Sequence, residues 1–319
     1  MGMELIQEGL EAIDDHLLAA VNSDVAVLQD ASEHILSSGG KRIRPQMALL
    51  AYLAAGGEDL AEVVPIASAV EMVHTATLVH DDINDHSLTR RGKATVHTIW
   101  GRTFALLTGD YLFTKVYELM APYGSEFNII MANACSRLVE GETLQATAAK
   151  AGTIDSETYK SIISLKTASL FEAAARMGAQ LAANDEELVD NLASYAYHLG
   201  LTFQIVDDIL DIVGDPEEMG KPVGTDIMQG RGVLVAQQGL QAIDGDGFAT
   251  AVAEAVTQEP VDPIQQMMAS LRESGAVEVA RIQAEEMGRR ARAALNTVPP
   301  SPARTELLSL VDMVLNRQN

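Results

Sequence analysis

Cysteine is nearly absent from this 319-residue chain. Its one copy, Cys135, excludes an internal disulfide and a cysteine-built zinc site, and it fits a reducing compartment. Basic residues are also few: 22 Lys and Arg face 45 Asp and Glu, a formal charge of −23. Nucleic-acid binding needs clustered cations to neutralise phosphates, so that class of partner is excluded. Any anionic substrate would need bound cations or a local basic patch to reverse the sign. No apolar run reaches the roughly 20 residues that cross a bilayer. The segment Met1 to Leu18 is acidic and amphipathic, without the basic start of a secretory signal. The expectation is a cytoplasmic protein with no integral membrane association. Aromatics make up only 4%, and no run alternates Val, Ile and Thr between turn signals, which argues against strands.

What is present favours helices. Hydrophobic residues reach 47%, enough for a sizeable core, and Ala, Leu, Met and Glu lose little side-chain freedom in a helix. Breaks fall at Ser37 to Gly40, Gly56-Gly57, Pro122 to Gly124, Gly152, Gly214 to Gly224, Asp244 to Gly247, Pro260 to Pro263 and Pro299 to Pro302. Between them, apolar residues recur every three or four positions in roughly a dozen segments. No linker or composition shift divides the chain, so it reads as one all-α domain, a single large bundle spanning 1–319. Two segments, Pro65 to Asp85 and Asn191 to Val213, are apolar nearly all round and belong in the bundle centre.

Both of those segments end in aspartates. The first carries Asp81-Asp82-Ile83-Asn84-Asp85, the second Asp207-Asp208-Ile209-Leu210-Asp211. Helical spacing puts Asp81 with Asp85, and Asp207 with Asp211, on common faces, where like charges repel. Burying them is costly unless a cation is present. Carboxylates that leave room for waters and phosphate oxygens suit Mg²⁺. One such pattern is expected by chance in about one chain in ten, two in about one in two hundred, which favours metal binding over solvated helix ends.

The few basic residues gather nearby. Gly39-Gly40-Lys41-Arg42-Ile43-Arg44-Pro45 sets cations before a helix that Pro45 could begin, and such an N-terminus suits a diphosphate. Arg90-Arg91 follow the first cluster, and Lys166-Thr167 and Lys221 lie in apolar or turn contexts. Singly, each is an ordinary surface cation.

Together these segments resemble the trans-type polyprenyl diphosphate synthases. The matching pieces are His80 to Asp85 with Leu88 to Gly92, Phe203 to Asp211, Gly39 to Pro45, Glu71 to His74, Lys166 to Ala168 and Gly220 to Pro222. The resemblance implies an isoprenoid-synthase bundle around a central cavity and a homodimer. It implies three Mg²⁺ held by Asp81, Asp85 and Asp207, with Asp82, Asp208, Asp211 and Asp226 as secondary ligands. Arg90, Lys166 and Lys221 would contact an allylic diphosphate, with Thr167 and Gln204 nearby. Lys41, Arg44, His74 and Arg91 would grip isopentenyl diphosphate. Where the family shows Gly-Lys before Thr-Leu-Pro, this chain has Gly230-Arg231-Gly232-Val233, and Arg231 keeps the charge with another geometry.

The implied reaction is head-to-tail condensation. The allylic diphosphate ionises, the double bond of isopentenyl diphosphate attacks, and a proton is lost, with water kept out by apolar helices. Ala76 and Thr77, one turn before Asp81, would set the tunnel floor. Both are small, so the expected product is geranylgeranyl length or longer, although Val70, Val73 or Phe104 could close the tunnel. A terpene cyclase is disfavoured by the Lys41/Arg44 and Arg90-Arg91 groups, and a silent regulatory subunit by two intact aspartate triplets. Arg289, Arg290 and Arg292 read as a solvated helix face, and His80 is left between substrate contact and core packing.

Overall fold

The helices follow the breaks read from the sequence. In this computed structural model, residues 2–151, 155–213 and 275–317 are described. They form α1 (Gly2–Ala20), α2 (Ala26–Leu36), α3 (Ile43–Ala54), α4 (Leu60–Asn84), α5 (Val96–Trp100), α6 (Arg102–Met120), α7 (Ser125–Ala151), α8 (Ser156–Ile163), α9 (Ser169–Ala182), α10 (Glu186–Val213), α11 (Ala276–Ala294) and α12 (Pro302–Leu315). A π-helical turn, Ser164–Ala168, joins α8 to α9. The all-α expectation is met, with one small exception among the described residues. Strands β1 (Thr89–Arg90) and β2 (Lys93–Ala94) pair antiparallel around Arg91-Gly92. Both turn residues have positive φ, 50° and 75°, the signature of a two-residue type I′ hairpin. Two-residue strands are too short to leave any alternation in sequence.

Contacts group these elements into two compact units, 1–136 with 170–196 and 294–308, and 137–169 with 197–293 and 309–319. In the first unit, α4 packs along α6 and also against α3 and α1. It begins earlier than Pro65 because the Asp59 carboxylate accepts a hydrogen bond from the Ala61 N–H at 3.0 Å, capping a helix that starts at Leu60. Pro65 therefore lies inside the helix. At 25 residues, α4 is long and apolar enough to cross a membrane, contrary to the expectation that no run was, but 72% of its most apolar stretch is buried in protein. It is a core helix. Against α3, α9 comes so close at Gly178 that a Cβ there would lie 2.2 Å from the Ala48 carbonyl oxygen.

In the second unit, α11 buries a stripe of small residues, Ala276, Ala280, Ala284, Gly288 and Ala291. At Gly288 a Cβ would sit 2.9 Å from Leu315, so this helix packs tightly on α12. The opposite face is solvated, as expected: Arg289 and Arg290 pair with Glu286, and Arg292 with Asp312 at 2.5 Å.

Candidate active site

Burial divides each aspartate cluster. Between Ile66 and Ile83, only His74, Thr77, Leu78, His80 and Asp81 of α4 keep any appreciable surface. Positions 74, 77, 78, 81 and 85 form one stripe at helical spacing, so His74, Thr77, Leu78, Asp81 and Asp85 share a face. The Asp85 N–H bonds the Asp81 carbonyl at 2.8 Å, which carries the helical turn through to the last aspartate. Asp82 instead points inward at 1% exposure. Its Oδ1 accepts from Arg90 Nε at 2.8 Å and lies 2.7 Å from Arg90 Nη2. Its Oδ2 is buried with no hydrogen-bond partner among the described residues.

Three of the cations expected to bind diphosphate, Arg44, Arg90 and Arg91, lie near His74. Burial, and then Arg44, Arg91, Arg90 and Arg42, push its pKa well below the ordinary histidine value, so it is neutral at pH 7. Arg91 sits at the hairpin tip in a left-handed conformation and donates to the Gly39 carbonyl, while Lys93 Nζ donates to the Ser37 carbonyl at 3.0 Å. Gly40 has a φ of 150°, a conformation that L side chains rarely adopt, and its α-carbon lies close to the Arg91 guanidinium. The Arg44 guanidinium lies 4.8 Å above the Phe171 ring, and Lys41 is exposed. His80 packs against α6, with Nε2 3.3 Å from the Leu106 carbonyl and 3.6 Å from Asp110 Oδ1. Its ring fills the space left by Gly109 on α6, where a Cβ would lie 2.2 Å from Nε2. Of the tunnel-floor pair, Ala76 is sealed, and Thr77 keeps surface while its hydroxyl donates to the His74 carbonyl at 2.8 Å. Phe104 is 44% exposed.

In the second unit Asp207 has a side chain 39% exposed, and Arg317 Nη2 lies 3.3 Å from its Oδ1. The same guanidinium rests 4.7 Å above the Phe203 ring. Asp208 and Asp211 are buried, at 8% and 0%. Asp208 Oδ2 accepts from the Tyr159 hydroxyl at 2.6 Å, and Oδ1 from Gln204 Nε2 at 2.9 Å. Thr167 donates to Gln204 Oε1 at 2.8 Å. Burial, and then the Asp208 carboxylate, raise the Tyr159 pKa well above its usual value. Lys166 projects from the π-helical turn to Glu142 at 2.5 Å and Gln145 at 3.1 Å. Gly141 makes room for that turn, since a Cβ would lie 2.6 Å from the Lys166 backbone nitrogen. Lys221, Asp226 and Arg231 lie outside the described residues.

Among the described residues, no three His, Cys, Asp or Glu side chains gather tightly enough to form a metal cage. A hard cation that keeps its waters and is shared with phosphate oxygens needs no such cage. The half-buried Asp81 and Asp85, on one face of α4, fit that kind of ion.

A sequence profile for polyprenyl synthetases matches residues 25–271. The chain belongs to the polyprenyl synthetase family. It is accordingly a prenyltransferase. Octaprenyl diphosphate synthase of Escherichia coli K12 is 36% identical over 98% of this chain and 97% of its own length. A short chain isoprenyl diphosphate synthase of Methanothermobacter thermautotrophicus is 34% identical, covering 99% of each. Among solved structures, a polyprenyl synthase of Caulobacter crescentus CB15, complexed with calcium and isoprenyl diphosphate, aligns with a TM-score of 0.92. Its sequence identity is 33%, over 100% of this chain and 97% of that one. The isoprenoid-synthase fold class read from the motifs is thereby confirmed, and a divalent cation suits the family.

Sequence reasoning missed several residues beside the predicted ones. Arg42 is one: it reaches Glu71 at 2.6 Å, Asp14 at 2.9 Å and the Leu36 carbonyl at 2.9 Å. Tyr159, Glu142, Gln145 and Arg317 are the others. The usable signal was Gly141, a glycine inside a helical run, which marks close backbone approach.

Proposed function

We propose that this prenyltransferase condenses isopentenyl diphosphate head-to-tail with an allylic prenyl diphosphate, giving a trans-polyprenyl diphosphate of geranylgeranyl length or longer. The observation that carries the reading is the division of the aspartates. Asp81, Asp85 and Asp207 keep carboxylate surface, whereas Asp82, Asp208 and Asp211 are buried. The accessible three are the proposed ligands of three Mg²⁺. When bound, the ions supply positive charge to the leaving diphosphate. Lys41, Arg44, Arg90, Arg91, Lys166 and Lys221 orient the two diphosphates, with Thr167 and Gln204 beside the allylic one and Arg231 adding charge. His74, neutral, offers a hydrogen bond without spending a proton. The residues of α4 shield the reacting carbons from water.

Product length is proposed from α4. Thr77 and Leu78 follow the accessible stripe away from Asp81, and neither is aromatic. Relatives named for octaprenyl and for short chain products are almost equally similar, so overall identity does not decide the length. The active form is proposed to be a cytoplasmic homodimer, supported by the exposed apolar residues Phe104, Leu106 and Leu107 of α6.

The test is incubation of the purified chain with isopentenyl and farnesyl diphosphates plus Mg²⁺, followed by sizing of the products. Linear products longer than farnesyl are expected, and Asp81→Ala or Asp207→Ala should cut turnover by orders of magnitude with melting curves unchanged. Near-normal turnover in either variant would defeat the metal assignment. Cyclic hydrocarbons would identify a cyclase, and no product from the chain alone would point to a subunit role.

A further inference from the structure

Asp207 and Asp208 are neighbours in sequence with opposite surroundings. A step of about 100° around the helix turns Asp207 to the accessible face of α10 and Asp208 into the core. A buried carboxylate has to be hydrogen-bonded, and the donors to Asp208 come from different elements of the second unit. Tyr159, 3% exposed on α8, donates to Oδ2 at 2.6 Å, a short charge-assisted bond. Gln204, one turn back on α10, donates to Oδ1 at 2.9 Å and is itself bonded by Thr167 at 2.8 Å. Thr167 lies in the π-helical turn beside Lys166. Such turns are irregular and recur at functional sites, and their backbone needs outside ties to keep one conformation.

We infer that Tyr159 is a positioning residue: through Asp208 it fixes the rotation of α10, and so the direction of the Asp207 carboxylate. Through Gln204 and Thr167 the same chain of bonds sets the π-helical turn that carries Lys166. Asp208 then serves as an anchor inside the protein and not as a metal ligand. The inference rests on the metal role proposed for Asp207 and the diphosphate role proposed for Lys166. Outer hydrogen-bond partners of this kind typically change metal affinity or activity about 10- to 100-fold when removed.

Tyr159→Phe keeps the ring in its buried place and deletes only the donor. Asp208→Asn keeps the shape and removes the charge, and Asp207→Asn is the reference for a lost ligand. The first measurement is Mn²⁺ binding to the purified full chain with inorganic diphosphate, followed by the EPR signal of free Mn²⁺. Tyr159→Phe and Asp208→Asn should bind as many ions as the wild type with about 10-fold weaker affinity. Asp207→Asn should bind fewer. The second measurement is steady-state elongation, where Tyr159→Phe should lower kcat/KM for the allylic diphosphate about 10-fold and leave KM for isopentenyl diphosphate unchanged. Adding Tyr159→Phe to Asp208→Asn should cost nothing further, because both break one link.

Wild-type metal affinity and kinetics in Tyr159→Phe would reduce Tyr159 to core packing and overturn the inference. Loss of a bound ion in Asp208→Asn, as in Asp207→Asn, would overturn it by making Asp208 a ligand. Were Tyr159→Phe unable to fold, the ion count of Asp208→Asn would still decide. A wild-type chain that binds Mn²⁺ with diphosphate but elongates nothing would refute the proposed reaction alone, and the binding comparison would still judge Tyr159.

Discussion

Arg42 and Arg44 are two residues apart, and the structure gives them different work. The Arg42 side chain is 11% exposed and makes a 2.6 Å pair with Glu71, itself 4% exposed. Arg42→Ala leaves that glutamate buried without its main counter-charge. Breaking one side of a buried pair costs about 3–5 kcal/mol. The second contact, to the half-exposed Asp14, adds no more than about 1 kcal/mol. At roughly 2 °C per kcal/mol for a chain of this size, the melting temperature should fall by about 6–10 °C. Arg44 stacks on Phe171, a contact worth about 0.5–2 kcal/mol, so losing that contact should shift melting far less. The larger effect of Arg44→Ala should be on the KM for isopentenyl diphosphate. The assay is thermal and urea unfolding by circular dichroism on both variants and on Arg42→Ala/Glu71→Gln. If the loss comes from the stranded carboxylate, the double variant must be more stable than Arg42→Ala alone. A double variant no better than the single one, or an Arg42→Ala no costlier than Arg44→Ala, would refute the reasoning.

Gly178→Ala should destabilise by about 3 kcal/mol, read from urea midpoints, because its Cβ would meet a backbone oxygen that cannot move aside. The pKa of His74 is lowered on folding, so its contribution is complete above the unfolded value of about 6.5 and is lost as pH falls below it. Stability should fall by up to about 1.4 kcal/mol per pH unit from this group below pH 6.5, and His74→Gln should remove that slope in pH-dependent melts. Thr77→Phe should shorten the product with folding intact, while Ala76→Phe, at a sealed position, should cost about 1–3 kcal/mol of stability; chromatography of products and melting curves separate the two. Unchanged product length in Thr77→Phe would remove α4 as the floor.

The helices and both aspartate clusters were legible because they obey local rules. Apolar spacing gives α4 and α10, and the Gly-Gly loop and the Asp triplets are runs of adjacent residues. What escaped depends on approaches between distant parts of the chain. The hairpin was hidden because two-residue strands carry no period, and Arg91 with positive φ is not a choice that propensity suggests. The start of α4 was misplaced at Pro65 because a proline ordinarily marks a first turn, and the Asp59 cap overrode it. Ala76 and Thr77 looked equivalent as small residues one turn from Asp81. Burial distinguishes them, and one step around the helix is enough to do it. Tyr159 and Arg317 are far in sequence from the aspartates they touch, and neither lies in a motif of its own.

The same distances answer how a chain of charge −23 can attract diphosphates. Four arginines lie near His74, and three of them have contacts that differ in charge. Arg42 is matched by Glu71 and Arg90 by Asp82, so each of those pairs carries little net charge. Arg91 is bonded to a backbone carbonyl, which is neutral. Arg91 therefore keeps its positive charge at the exposed tip of the hairpin, near His74. The glycines at 39 and 40 matter for the same reason. Their positive φ shapes the loop that brings the Gly39 carbonyl to the Arg91 guanidinium, where a carboxylate would have cancelled its charge.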